Sequence, residues 1–475
     1  MQYSQRRIFN DELVVKKNVQ GRLNKWKCVS GDDGVGGKQV LSFAGIHSTS
    51  IKRFMKNFYL VGKIHFGGSA TSSSNAEKTV ATIMKDLNNA LDTHININGS
   101  VVDDTKGVCI TPILKSYSEK YKSPFDTDKQ YEYSKKSVKM TFSGDSHTAT
   151  INEDIEFSVP LLVPLLLNGL SGVHNLELTI TQNYNLYSIL KFENLSTNNI
   201  TVGLKNCYIY YEEYDTGSEI FKQTFPYFYP IQKQFGSNLD GETECESSIR
   251  DIQGCPDDVF VLVAYDGSII TEPLDGVDVK SRTEKISQMM VDINTDSNAF
   301  NSEDKIELFA RCKQHNYKGE LSDFLGNSDV NNEYSPVIRI PMKTLCYDIS
   351  NKEIFRCNVR NVKTKTATAS KCKLTLYVVY CYNALLTLSP EKSTFEYVKS
   401  GELMGEIQEG EDDDVLGAGF FDKVKSFVKN GGISRWAGKV ARIADTVAGP
   451  NNKVSGIADT VSNVASMLGA STNVF

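Results

Sequence analysis

Apolar residues recur at every second position along several stretches of this chain, and long polar connections part them. Leu176, Leu178 and Ile180 alternate in this way, as do Tyr208 and Tyr210, Val259, Val261 and Val263, and Leu374, Leu376, Val378 and Tyr380. A period of two lines one face of a strand. The segments 236–254 and 294–304 are rich in Ser, Asn, Asp and Gly and read as loops. One stripe has helical spacing: Val80, Ile83, Met84, Leu87, Ala90 and Leu91, opened by Ser72-Ser73-Ser74-Asn75 and Glu77. That pattern predicts a capped helix. Many strands, long loops and few helices place the body in the mainly β class, as a sandwich or barrel.

The chain is 475 residues long with 40% hydrophobic and 10% aromatic residues, enough for one large domain or two or three ordinary ones. Its net charge of −6 excludes a bulk nucleic-acid binder, so any such contact is weak or indirect. Residues 1–50 read as an N-terminal arm, with Arg6, Arg7, Lys16, Lys17, Arg22, Lys25 and Lys27 set against Asp11 and Glu12. No apolar stretch in the first 43 residues has the length of a signal peptide. The longest apolar run, 159–167, is too short and proline-broken to span a bilayer. Ten scattered cysteines without a CxxC pair are expected as free buried thiols, with Cys245 and Cys255, which sit in a polar loop, the pair that could bond.

The last sixty residues are built differently. Glu402, Glu406, Glu409, Glu411, Asp412, Asp413 and Asp414 form a like-charge block with no Lys or Arg among them, which reads as an acidic flexible linker over 401–418. From Val415 onward seven Lys or Arg oppose Asp422, Asp445 and Asp459. Three short helical stripes then fill 419–475. The first holds Phe420, Phe421, Val424, Phe427 and Val428 beside Lys423, Lys425 and Lys429. The second holds Ile433, Trp436, Ala437, Val440, Ala441, Ala444 and Val447, with Arg435, Lys439 and Arg442 on another face, and stops at Gly449-Pro450. The third runs from Val454 to Leu468. A cationic amphipathic segment with Phe and Trp on its apolar side suits a membrane interface. It equally suits packing under its own domain or against another subunit. The membrane-contact candidates are Phe420, Phe421, Phe427, Trp436, Lys423, Lys425, Arg435, Lys439 and Arg442. A solvated hinge is also a protease target, and Gly417, Ala418 and Gly419 are the cleavage candidates.

Linear motifs for chemistry fail. Gly34-Val-Gly36-Gly37-Lys38 resembles a phosphate loop, but its first glycine would fall on Asp32 and Gln39 replaces the Ser or Thr. Ser171 lacks the final glycine of a nucleophile elbow. His47, His65, His94, His147, His174 and His315 share no metal spacing. The acidic pairs Asp103-Asp104 and Glu212-Glu213 read as solvated turns or strand ends before cation ligands. No cofactor and no catalytic residue is expected.

Two segments carry a family resemblance. Val159-Pro160-Leu161-Leu162, followed by Val173-His174-Asn175-Leu176-Glu177-Leu178-Thr179-Ile180, resembles a segment of double jelly-roll major capsid proteins of viruses. Leu204 to Glu219 resembles that family's aromatic strand and acidic turn, although Gly217 and Ser218 replace part of the turn. The tail is similar in style to the lytic C-terminal peptides of nodavirus and tetravirus capsids and to the internal lytic protein of adenoviruses. Val415-Leu416-Gly417-Ala418-Gly419 resembles the adenoviral protease's cutting pattern. The resemblance implies a jelly-roll β-sandwich, double in type, with 51–220 as the first roll and 221–400 as a second roll or projecting β domain. It implies a virion protein, assembled inside the host cell, that self-associates into trimeric capsomers and an icosahedral shell. Host membrane, reached through the tail, is the other implied partner. A pore-forming protein without a shell is the alternative, and a hydrolase with an unrecognised site a weaker one.

Overall fold

The computed structural model describes residues 22–34, 37–47, 53–98, 100–121, 132–167, 169–171, 173–182, 186–192, 195, 197–215, 221–235, 242–247, 250–265, 285–293, 296–302, 304–325, 336–342, 354–365, 374–388 and 393–398. The chain divides into two compact units, Met1–Tyr397 and Val398–Phe475. Every sheet and helix named below belongs to the first.

Within that unit the strands wind the same way twice. The first winding runs β1 (Arg22–Ser30), β2 (Val40–His47), β3 (Arg53–Thr71), β4 (Glu77–Ile83), β5 (Asp92–Ile97) and β6 (Ser100–Lys106). Helices α1 (Gly107–Ser116) and α2 (Ser118–Tyr121) follow. Then come β7 (Glu132–Tyr133), β8 (Ser137–Thr141), β9 (Thr148–Pro160), β10 (Leu170–Ser171), β11 (Asn175–Thr181), β12 (Leu190–Phe192) and β13 (Thr197–Asp215). Its strands order as β6-β5-β11-β2-β1-β13-β3-β9-β7, with β12-β4-β8 as a separate small sheet. The β1–β2 hairpin turns the long sheet into two layers, β1-β13-β3-β9 and β2-β11-β5-β6.

The second winding runs β14 (Phe221–Phe235), β15 (Glu242–Cys245), β16 (Arg250–Gln253), β17 (Asp258–Tyr265), β18 (Lys285–Ile293) and β19 (Asp296–Ser302). Helices α3 (Lys305–Gln314) and α4 (Leu321–Leu325) follow, then β20 (Ile338–Pro341), β21 (Ile354–Lys365) and β22 (Leu374–Leu388). Its sheets order as β14-β22-β17-β20 and β15-β21-β18-β19. Counting the principal strands of each winding from one to eight, both give 1-8-3-6 in one sheet and 2-7-4-5 in the other. A helix follows the fifth strand each time. This is the two-sheet, eight-strand order of a jelly roll, and all the pairings are antiparallel.

Burial follows the strand period where one face meets water. In β9, Ile151, Ile155, Phe157 and Val159 are buried while Asn152 and Glu156 are exposed. In two strands of the second winding, β17 and β22, the period is lost. Val259 through Val263 of β17 and Leu376 through Tyr382 of β22 are buried without a break. Continuous apolar runs of this kind mark strands covered on both faces.

Four sequence expectations need correction. The helix expected from Val80 to Leu91 is strand β4 followed by a single 3-10 turn, Leu87–Ala90. β4 lies between β12 and β8, so its sheet partners and core contacts override the helical spacing. Asp86, extended at φ −60° and ψ 137°, breaks the chain there, and its carboxylate accepts from the Asn88 N–H at 2.9 Å. The expected arm 1–50 contains β1 and β2, and Trp26, Leu41 and Phe43 bury into the core. The polar segment 236–254 contains β15 and β16, and 294–304 contains β19. Helix α1 was not expected, although Ile110, Ile113 and Leu114 recur at helical spacing and are buried on one face. α1 carries Pro112 in its interior, a helix breaker by type. α3 is legible only from its cap, where Asp304 accepts from the Ile306 N–H at 2.9 Å, and from the Glu307–Arg311 pair at 2.6 Å.

Candidate functional site

The nominated tail residues Phe420, Phe421, Phe427, Trp436, Lys423, Lys425, Arg435, Lys439 and Arg442 lie outside the described residues, as do Gly417, Ala418 and Gly419. Among the described residues no group of three His, Cys, Asp or Glu side chains could hold a metal ion. Three of the histidines make separate contacts. His65 Nδ1 meets Asp154 at 2.8 Å, His147 Nδ1 meets Asn75 at 2.6 Å, and the His174 N–H donates to Asn98 at 2.9 Å. None of the eight described cysteines is in a disulfide, Cys245 and Cys255 included, and seven of them are buried. Ser171 lies in β10, paired with Phe54 of β3, and not at a strand-to-helix elbow. The glycine-rich segment is the β1–β2 turn. Gln39 beside it is buried, and its amide accepts from the Leu204 N–H at 2.7 Å and donates to the Leu204 carbonyl at 3.0 Å. The residue that disqualified a phosphate loop thus ties that turn to β13.

A polar constellation lies where the two windings meet. Helices α1 and α2 leave β6 and lie against β17, so Tyr117 and Tyr121 enter an aromatic cluster. The Tyr117 ring is 5.5 Å from Phe260 and 5.9 Å from Tyr317, and its hydroxyl donates to the Val337 carbonyl at 2.8 Å. The Tyr121 ring meets Phe228 edge-on at 5.4 Å. Between them sits Asp258, only 1% exposed at the start of β17. It pairs with Lys120 of α2 and with Arg339 of β20, whose Nε is 2.8 Å away. Arg339 also donates to the His315 carbonyl at 3.0 Å, and the Lys318 N–H donates to the Ser116 carbonyl at 2.9 Å. A buried carboxylate with two cations is held by its partners, and losing one strands a charge in a low dielectric.

The electrostatics suit a fixed joint better than a reactive centre. Burial pushes the Tyr117 and Tyr121 hydroxyls well above their ordinary value. Burial likewise pushes the neighbouring Cys312 and Cys381 thiols up to about 11, keeping them protonated and unreactive. Partial burial, then the charges of Arg339 and Lys120, lower His315. No nucleophile stands beside a base here. Sequence reading missed this site because its members are scattered, Lys120 and Asp258 being 138 positions apart.

A second polar array covers the outer face of β1-β13-β3-β9. Lys63 reaches Asp154 at 3.4 Å and Glu156 at 3.6 Å. Partial burial would raise Asp154, but hydrogen bonds from His65 and Lys63 and the charge of Lys205 outweigh it and hold the carboxyl below its usual value. Lys25 lies 3.6 Å from the centre of the Tyr208 ring, which meets Tyr210 edge-on at 5.0 Å. An open groove of about 440 Å³ is lined here by Val61, Lys63, Glu132, Glu156, Ser158 and Tyr208.

No protein-family model matches the chain. No curated protein matches it in sequence. Solved structures do match in fold. A chain in the cryo-EM structure of the Sputnik virophage superposes with a TM-score of 0.58 at 12% identity, covering 83% of this chain and 92% of that one. The mavirus major capsid protein superposes with a TM-score of 0.54 at 10% identity, covering 83% of this chain and 96% of that one. The class defined here is a mainly β protein with two jelly-roll windings, a fold shared with those two chains. The segments that carried the sequence resemblance are strands of the first winding: Val159 and Pro160 end β9, Asn175 to Ile180 belong to β11, and Leu204 to Asp215 belong to β13. Residues 216–219 of the acidic turn lie outside the described residues.

Proposed function

We propose that the chain is the major capsid protein of an icosahedral virus, a double jelly roll that self-assembles through trimeric capsomers and resides in the virion after assembly in the host cell. The first roll spans 51–220 with β1 and β2 added, and the second spans 221–400. The observation carrying this reading is the jelly-roll order wound twice in one chain, in a fold shared with the mavirus major capsid protein over most of both chains. Fold alone does not dictate function, so the mechanical argument matters. A shell subunit must keep its shape while many modest symmetric interfaces form around it. The junction at Asp258 supplies that rigidity, because the two rolls cannot turn against each other without pulling Lys120 of the first roll away from the buried Asp258–Arg339 pair of the second. Three copies of a two-lobed block place six like lobes about one axis, a near-hexagonal tile that fills a surface. The role is structural rather than enzymatic.

The tail belongs to the same proposal. The switch from an acidic linker to a basic, Phe- and Trp-bearing stripe supports a detachable segment that acts on host membrane after cleavage near Gly417-Ala418-Gly419. Each Lys or Arg near an anionic surface contributes about 1 kcal/mol of attraction.

Sedimentation and negative-stain microscopy of the recombinant chain test the shell reading. Trimers or particles are expected, and a clean monomer at tens of micromolar across salt and pH would favour the pore-forming alternative. A peptide spanning residues 419–468 should release dye from anionic liposomes and lose that activity when Phe421, Phe427 and Trp436 become Ser. An inert peptide, together with a chain that fails to assemble once the tail is deleted, would make these helices packing elements.

A further inference from the structure

The outer face of the first roll is lopsided in charge and shape. β1 carries Arg22, Lys25 and Lys27 and no acidic residue. At the other side of the same sheet, β9 and β7 carry Asp154, Glu156 and Glu132. Cross-strand register links the two sides row by row. Lys25 lies opposite Tyr210, which lies opposite Tyr59; Lys27 lies opposite Tyr208, then Val61, then Ser158. Lys25 stacks on Tyr208, which also lines the groove, so the basic strand and the groove share one face. Lys63 and His65 in β3 offset part of the acidic side. Even so, Glu156 remains 68% exposed, and surface pairs of this kind hold their partners weakly. Leu23 on β1 is 67% exposed, the most exposed large apolar side chain among the described residues.

We propose that this face is a contact between two copies of the chain related by a two-fold axis. In the order β1-β13-β3-β9 the midpoint falls between β13 and β3. An axis along the strands at that midpoint lays β1 of one copy over β9 of the other, and the reverse by symmetry. The ridge of Leu23, Lys25 and Lys27 on each copy then meets the groove walled by Glu132 and Glu156 on its mate. Charge is complementary twice over, as an isologous contact requires, and Tyr59, Tyr208 and Tyr210 supply the aromatic surface enriched in protein interfaces. The proposal rests on the capsid reading, to which it adds a contact joining one capsomer to the next.

A charge-swap experiment on the full chain tests it. One variant carries Lys25→Glu and Lys27→Glu; a second carries Glu132→Lys and Glu156→Lys. All four positions are solvent-facing, so circular dichroism and melting should match wild type. Each variant alone should associate at least tenfold more weakly by sedimentation, because like charges then meet at both symmetric contacts. An equimolar mixture of the two should recover association, since every contact between unlike copies is again paired, and so should a chain carrying all four changes. Particle yield unchanged in both single variants would overturn this face while leaving the capsid reading intact. Two weakened variants with no recovery in the mixture would overturn the complementary pairing. A wild-type chain that never associates would overturn the capsid reading together with this contact.

Discussion

The two rolls share a winding order and differ in what lies against them. In the first, β9 alternates between buried Ile155 and Phe157 and exposed Asn152 and Glu156. Its outer face meets water and carries Lys, Glu and Tyr. In the second, β17 and β22 are buried along both faces, because α1 and α2 of the first roll lie where solvent would otherwise be. The helices after the fifth strand diverge in the same way. α1 packs on the other roll's β17, whereas α3 packs on β18 and β20 of its own. One topology therefore accommodates two surface chemistries, and the neighbour of a sheet decides which. The first roll offers its sheet face outward, and the second spends its own on holding the pair together.

Removing the carboxylate at the joint should separate the rolls most. Asp258→Ala leaves Lys120 and Arg339 beside an empty acceptor and should cost about 3–5 kcal/mol, read as a lower urea midpoint. Hydrogen exchange should quicken across Val259–Val263 and Leu376–Tyr382 and stay slow in β9. Equal quickening in both rolls would mean that they unfold as one cooperative unit, and the contrast drawn above would fail.

A smaller change should act on the first roll alone. Gln39→Ala leaves the buried Leu204 N–H without its side-chain acceptor, while the Leu204 carbonyl keeps the Gly34 N–H at 2.9 Å, and should cost about 1–3 kcal/mol. Its exchange signature should appear at the β1–β2 turn and β13. A response in β17 instead would show that strain crosses the joint.

Acid should act on the second roll's side. His315 takes a proton less readily when folded than its ordinary value of 6.5. The unfolded chain therefore binds that proton first, and stability present above this pH is lost as pH falls below it. Wild type should lose more urea resistance than His315→Gln between about pH 7.5 and 5.5, a window spanning the unperturbed histidine. Equal losses would remove His315 from the account.

The smallest effect belongs to the exposed face. Lys63→Ala should shift stability by about 0–1 kcal/mol, the range of surface ion pairs. A larger loss would mean that the outer face of the first roll is as structurally committed as the inner face of the second.

Much of this could be read along the chain. Alternation at Leu176-Leu178-Ile180 and Leu374-Leu376-Val378 marked strands correctly, since the period of two is a local property of a pleated backbone with one apolar environment. The mainly β class followed from the number of such runs. The helix read from Val80 to Leu91 failed because one short apolar pattern fits two periods, and pairing with β8 and β12 chose between them. β15, β16 and β19 were hidden by polar composition, because their stability comes from neighbouring strands rather than from propensity.

By itself, then, the order of residues determined several of the strands, where an acidic run of sequence gives way to a basic one, and which chemistries lack their motifs. Each of those rests on neighbours within a few positions. The joint at Asp258, the double coverage of β17 and the lopsided charge of the outer sheet face were decided only in three dimensions. A carboxylate buries itself only where cations converge on it, and here they converge from α2 and β20, parts of the chain with no local reason to meet.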